Sequence, residues 1–254
     1  MQDQLKKGGA VLITGASRGL GLAFSYEFAS HGFDLILTAR DNAALDGAAA
    51  DIKEKYGVGV SVYPADLSAP HAAYALYERI KKDGLAVSVL VNNAGIGACG
   101  ESWNIDPKRE TDMMNVNIGA ATELSKLCAA DFASERLGSI LNVCSVGAFQ
   151  PGPYTASYYA AKAYLYNYTL ALRTELKGYG VGVTALCPGS IATDFFTSSG
   201  SRTPGGAASA EKVAAYAYKK FMQNKATVIY PFKNRLALPV PKRIRSAFIA
   251  KMKK

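Results

Sequence analysis

Ser145, Tyr158 and Lys162 lie within one stretch of eighteen residues, and a hydroxyl, a phenol and an ammonium together can move a proton to or from a carbonyl oxygen. Tyr158 and Lys162 stand at i and i+4, so they share one face of any helix that contains them. Ser145 follows an apolar run, Ser139 to Cys144, that reads as a buried strand. The Pro/Gly cluster 150–153 is a loop, and a helical stretch runs from about Tyr154 to Lys177. A free phenol ionises at about 10, too high to act freely at neutral pH. A nearby ammonium favours the phenolate and lowers that value, while the serine can hold the reacting oxygen. Such a set suits ketone reduction or alcohol oxidation, given a separate carrier for the hydride. The Tyr-x3-Lys spacing occurs three times, at Tyr77/Lys81, Tyr158/Lys162 and Tyr216/Lys220. Only Tyr158 has a serine thirteen residues upstream; Pro64 and Thr203 hold that place for the other two.

Positioning these side chains takes strand ends and helix starts, which the chain supplies in regular alternation. Ala10 to Thr14 reads as a short buried strand leading into Gly15-Ala-Ser17-Arg18-Gly19-Leu20-Gly21 and then an amphipathic helix to about His31. Glycines let a backbone turn tightly and approach a pyrophosphate, and a helix N-terminus offers free N–H groups. The spacing G-x3-G-x-G differs from the G-x-G-x-x-G dinucleotide fingerprint, and a plain strand–helix turn is the alternative. A second strand, Asp34 to Ala39, ends at Arg40. An acidic residue there would grip the adenosine ribose of NAD. Arginine suits a 2′-phosphate, and Arg18 offers a second cation, so NADP(H) is favoured over NAD(H); Asp41 beside Arg40 counts against this. Further strands are expected at 58–63, 87–91, 139–144, 181–186 and 227–230, with helices at about 41–56, 69–83 and 107–135 between them. The rhythm predicts an α/β fold, one doubly wound parallel sheet with helices on both faces, over residues 1–231. Residues 232–254 form a basic tail.

Composition narrows the function. Nearly half of the 254 residues are hydrophobic, 49%, which supports a large core. No apolar run is long enough for a transmembrane helix, and the polar N-terminus has no signal-peptide core, so a cytoplasmic protein is expected. Cys99, Cys128, Cys144 and Cys187 are scattered, and His31 and His71 stand alone, so no metal site is expected and a Ser-His-Asp hydrolase has little support. The net charge is +9, and residues 233–254 hold eight Lys/Arg and no Asp/Glu. The body is therefore nearly neutral, and nucleic acid is not an expected partner.

Together these motifs resemble the short-chain dehydrogenase/reductase family in its classical form, over roughly residues 8–230. Thr14-Gly15-x3-Gly19-x-Gly21 looks like the family's cofactor turn. Asp66, with Leu67 after it, matches the acidic residue that faces the adenine. Asn92-Asn93-Ala94-Gly95 matches the family's N-N-A-G. Asn117 falls where the family has its helix asparagine, and Asn115 is a decoy nearby. Ser145, Tyr158 and Lys162 complete the tetrad, with Tyr159 a second decoy. Pro188-Gly189, Ile191 and Thr193 resemble the segment that holds the nicotinamide carboxamide. The resemblance implies a single Rossmann-like domain that passes a hydride between NADP(H) and a ketone or secondary alcohol. It makes Tyr158 the acid in reduction and the base in oxidation, and Ser145 the residue that orients the carbonyl. Lys162 would lower the Tyr158 pKa and bind the nicotinamide ribose, and Asn117 would support a water-linked relay through its main chain. It also implies a homodimer or homotetramer through the helices bearing Asn117 and Tyr158.

Substrate determinants are less sharply marked. Residues 192–208, rich in Ser, Thr and Gly, read as a lid. Phe149, Tyr154, Phe195 and Phe196, with Ser145, suggest an apolar carbonyl substrate such as a 3-oxoacyl chain, a steroid-like molecule or a small ketone. In the tail, Ile244, Phe248 and Met252 recur at i+4 steps among Lys and Arg. This predicts an amphipathic helix that rests on an anionic membrane surface or covers the path of a lipid-like substrate. A docked or solvated helix is the alternative.

Overall fold

The computed structural model describes residues 2–236 and 239–253, and for Leu236, Phe248, Met252 and Lys253 the backbone alone. Its framework is β1 (Ala10–Thr14), β2 (Leu35–Thr38), β3 (Val60–Val62), β4 (Val87–Asn92), β5 (Ser139–Val143), β6 (Gly182–Pro188) and β7 (Thr227–Tyr230). All pair in parallel, in the order β3-β2-β1-β4-β5-β6-β7. β1, β2, β4, β5 and β6 are buried along their whole length, as expected of strands covered on both faces. The order reverses between β1 and β4, and in open α/β sheets ligands bind beyond the carboxyl ends of the strands at that point.

The helices are α1 (Gln2–Gly8), α2 (Gly19–Ser30), α3 (Asn42–Tyr56), α4 (Ala72–Lys82), α5 (Pro107–Met114), α6 (Ala121–Glu135), α7 (Ala156–Leu176), α8 (Phe195–Ser198), α9 (Ala210–Met222), α10 (Lys233–Leu236) and α11 (Lys242–Lys253). Their starts follow local chemistry. Asp41 accepts a bond from Ala44 N at 3.0 Å and caps α3, and Asp106 caps α5 ahead of Pro107 through Lys108 N at 3.0 Å. Phe24, Phe28 and Phe33 with Val213, Ala217 and Phe221 fill one face of the sheet. Leu76, Ile80, Leu124, Phe132 and Leu172 fill the other.

Three features depart from the reading of the sequence. The polar lead-in is a helix, α1, held by the buried Leu5. α9 was not among the expected elements, yet it packs on α2 with Phe28 against Tyr218 and Phe221. The expected helix over 107–135 is broken by a π turn, Asn115–Ala120. Among the described side chains of α11, Ile249 is buried and Ile244, from the expected apolar stripe, is exposed. Phe248 and Met252, the other two members of the expected apolar stripe, lie outside the described side chains. No described helix is long and apolar enough to cross a membrane.

Candidate active site

Three elements deliver the proton-handling residues to one point. Ser145 lies just beyond β5 and caps the 3-10 turn Val146–Phe149, its Oγ accepting from Gly147 N at 3.0 Å. Tyr158 and Lys162 project from the first turns of α7. Lys162 is buried and its Nζ donates to Val143 O at 2.8 Å, which pins α7 to the end of β5. The same Nζ stands 5.8 Å from the centre of the Tyr158 ring. Asn117, buried within the π turn, exchanges two bonds with Ile96: its Nδ2 donates to the carbonyl at 2.8 Å, and its Oδ1 accepts from the amide at 3.0 Å. Gly95 separates Asn117 from Lys162. A Cβ there would lie 3.1 Å from Asn117 Oδ1 and 3.4 Å from Lys162 Nζ.

Burial dominates the electrostatics of the Tyr158 and Lys162 pair. Burial pushes the Tyr158 phenol above its ordinary pKa; hydrogen bonding with Ser145 pulls the other way but does not prevail. The Lys162 amine is lowered, chiefly by burial. A desolvated ammonium is itself costly, and the hydrogen bond with Ser145 favours the ionised form of the phenol. Tyr159, one of the decoys, packs its ring under Gly147 and Gly152. Asn115 donates to Ser68 O at 2.9 Å, away from this point.

Beside these residues lies a backbone cradle. Gly15 and Gly19 have φ of +66° and +57°, and a Cβ on Gly21 would fall 2.1 Å from Gly15 O, so this turn closes only on glycine. Arg18 holds the N-cap position of α2 in extended conformation and makes no capping bond. The first-turn N–H groups of α2 are thus left to face an anion such as a pyrophosphate, which the cradle fits. Ser17 is half-buried in the turn and Leu20 is buried beneath it. Thr14 Oγ1 accepts from Asn93 N at 3.0 Å and Ala94 N at 2.9 Å, and Asn93 Nδ2 returns a bond to Thr14 O at 2.9 Å. These bonds lock the ends of β1 and β4.

Farther along the sheet, Arg40 is exposed just past β2, while Asp41 is committed to capping α3. Asp66 accepts from Ser68 N at 3.0 Å and Ser68 Oγ at 2.8 Å. Burial raises its carboxyl, but these bonds and the charges of Arg40 and Lys108 outweigh it and leave the pKa lowered. Leu67 is buried beside it. Arg18 makes an exposed ion pair at 3.8 Å with Asp194. On the other side, Pro188 ends β6, and Gly189 N donates to Tyr230 O at 2.7 Å. Ile191 bridges to Ala208, and Thr193 packs on Gly19.

The aromatic residues divide. Phe195 lies over Tyr158 with ring centres 5.3 Å apart, and Phe196 meets Phe195 at 5.8 Å. Tyr154 takes a φ of +61°, and its carbonyl accepts from Gly100 N at 2.8 Å. Phe149 packs on Tyr166 at 4.9 Å and on the buried cluster around Cys144 and Cys187.

Several positioning residues lie outside the motifs. Arg109 on α5 donates to Gly97 O at 2.7 Å and to Ser198 O, holding α8 against the 97–100 loop. Ser157, next to Tyr158, donates to Glu110 on α5. Asn92 Nδ2 donates to Ala121 O at 3.0 Å, Ser125 Oγ at 2.9 Å and Asn142 Oδ1 at 2.9 Å, and Asn142 donates to Thr169 Oγ1 at 2.9 Å. This buried network joins β4, β5, α6 and α7 behind the site.

Comparison with known proteins agrees with this architecture. A family model described as short chain dehydrogenase matches residues 9–203. A very-long-chain 3-oxoacyl-CoA reductase of Phaeosphaeria nodorum is 37% identical over 181 residues, covering 70% of this chain and 53% of that protein. The 17-beta-hydroxysteroid dehydrogenase type 3 of Mus musculus is 32% identical over 194 residues, covering 72% and 60%. The chain thus spans little more than half the length of these curated relatives. A short-chain dehydrogenase from Sphingobium yanoikuyae, solved in complex with NADPH, is 29% identical with a TM-score of 0.86 over 95% of both chains. This chain belongs to the short-chain dehydrogenase family.

Proposed function

We propose that the chain is an NADP(H)-dependent oxidoreductase that interconverts a ketone and its secondary alcohol, in the class EC 1.1.1.-. The observation that carries the reading is the convergence of Ser145, Tyr158 and Lys162 beside the glycine cradle. Gly15, Ser17, Arg18, Gly19, Leu20 and Gly21 would hold the pyrophosphate. Asp66, Leu67, Asn93, Ala94 and Gly95 would line the nucleoside, and Pro188, Gly189, Ile191 and Thr193 the nicotinamide. Bound nicotinamide would supply or accept the hydride. Ser145 would hold the carbonyl oxygen through its hydroxyl. Tyr158, kept protonated at neutral pH, would donate its proton to that oxygen in reduction and take it back in oxidation. Lys162 would bind the nicotinamide ribose, and Asn117, whose side chain is committed to Ile96, would act through its main chain.

The preference for NADP(H) rests on Arg40. Its neighbour Asp41 faces α3 as a cap, which leaves the guanidinium as the charge at the end of β2; Arg18, partly drawn to Asp194, is the weaker contributor. Substitution Arg40→Ser is expected to lower kcat/KM with NADPH at least tenfold and leave that with NADH nearly unchanged. Equal losses with both cofactors would remove the 2′-phosphate from the reading. The substrate is proposed to be an apolar carbonyl compound received by Phe195, Phe196 and Tyr154. The names of the two relatives, a 3-oxoacyl thioester reductase and a hydroxysteroid dehydrogenase, support that class. We further propose a cytoplasmic homodimer or homotetramer built through α6 and α7, whose outer faces expose Tyr164.

A further inference from the structure

Most of the excess positive charge lies in the last 22 residues, 233–254, which hold eight Lys/Arg and no acidic residue. The structure gives that charge a place. α11 is seated against the connection between Ser145 and α7: Arg245 donates to Phe149 O at 3.2 Å and to Val240 O at 2.9 Å, and Ile249 is 8% exposed. With Ile249 turned inward, Val240, Arg243, Ile244, Ala247 and Lys251 recur at helical spacing and are exposed. Ile244 is 61% exposed, and Phe232 at the start of α10 is 60% exposed. Trp103 is 79% exposed on a loop bonded to the same connection through Gly100 N and Tyr154 O. Asn234 of α10 packs on Gly189, so Phe232, Trp103 and Ile244 all stand on segments that frame the candidate site. Arg243 and Lys251 make no ion pair among the described residues.

We propose that this rim, the outward face of α11 with Phe232 and Trp103, docks on an anionic lipid bilayer surface. Apolar side chains set among unpaired cations fit the interfacial zone, where the rings and aliphatic groups enter the headgroup boundary and the cations meet lipid phosphates and carboxylates. The charge is of one sign, so a pure apolar partner would leave it uncompensated and an anionic surface completes it. Docking there would bring the segments that frame Ser145 and Tyr158 to the bilayer surface. Resting on the reductase reading above, this makes the substrate a ketone borne by a lipid.

The test is co-sedimentation of the full chain with vesicles of equimolar phosphatidylcholine and phosphatidylserine, and with pure phosphatidylcholine. The wild type is expected to sediment with the anionic vesicles only, less so as salt rises. Arg243→Glu with Lys251→Glu is expected to weaken that partition at least tenfold, since each cation near such a surface counts for roughly fivefold. Trp103→Ser with Ile244→Ser is expected to weaken it at unchanged charge. Equal partition of wild type and charge variant, equal binding to both vesicle types, or a change of oligomeric state in the variants without a change in vesicle binding would overturn the proposal. Thermal unfolding and NADPH-dependent reduction of a water-soluble ketone serve as controls and should be unaltered in both variants. Failure of the soluble assay in the wild type would sink the reductase reading while the vesicle result still decides the docking.

Discussion

At Tyr158, burial and Ser145 pull the phenol in opposite directions, and burial prevails. The phenol therefore stays protonated through the neutral range. Reduction, which needs the phenol, is expected to hold a level kcat/KM from about pH 6 to about pH 9, whereas oxidation of the corresponding alcohol, which needs the phenolate, should rise roughly tenfold per unit over the same span. An oxidation rate already flat below about pH 8 would show that the phenol is not raised. Lys162 presents the complementary case. Its folded pKa lies below that of an unfolded lysine, so between the two values the unfolded chain binds the extra proton and stability increases with pH. Below the folded value the whole penalty of charging a buried amine is present. Lys162→Met, expected to be inactive, loses both the bond to Val143 O and the cost of charging a buried amine. Its stability relative to wild type should therefore be highest at low pH and fall as pH rises toward about 10. Urea unfolding at two pH values measures this, and a stability difference that does not change with pH would mean that the ammonium is not penalised by its surroundings.

At the scale of elements, one side chain ties α8 to a neighbouring loop through hydrogen bonds. Arg109 joins the 97–100 loop to α8, and α8 carries Phe195 over Tyr158. Arg109→Ala should ease local opening by about 1–2 kcal/mol, roughly tenfold in amide exchange over 195–201, with global stability nearly unchanged. Unaltered exchange there would show that α8 is held by other contacts. This latch could not be read from the sequence, because its two acceptors are backbone carbonyls 12 and 89 residues away from Arg109. Ser145, Tyr158 and Lys162 could, because their chemistry fixes both type and spacing. The strands were legible as apolar runs, and the glycine turn as a strand end that leads into a helix. The π turn escaped because it follows the same residue pattern as the α-helix around it and differs only in hydrogen-bond register. Asn92 and Asn142 escaped because they are polar residues in buried strands, and their partners Ser125 and Thr169 come from distant helices. In α11 the inward turn of Ile249 was not legible, since a helix of this composition has more than one apolar stripe and the docked loop selects among them.

For the whole molecule, the sheet order gathers residues from Gly15 to Thr193 at the carboxyl ends of the strands. The motif order along the chain therefore becomes a single site. The body is nearly neutral and the positive charge lies in the tail, whose α11 is anchored four residues beyond Ser145 through Phe149. The measurement that bears most directly on the central claim compares wild type with Tyr158→Phe for NADPH oxidation against a panel of apolar ketones, alongside the Kd for NADPH. Ketone-dependent turnover should fall by at least about a hundredfold in the variant, with NADPH affinity unchanged. A variant that keeps its turnover would place the proton donor elsewhere, and a wild type that binds NADPH but reduces no ketone would contradict the assignment of the site as a carbonyl reductase.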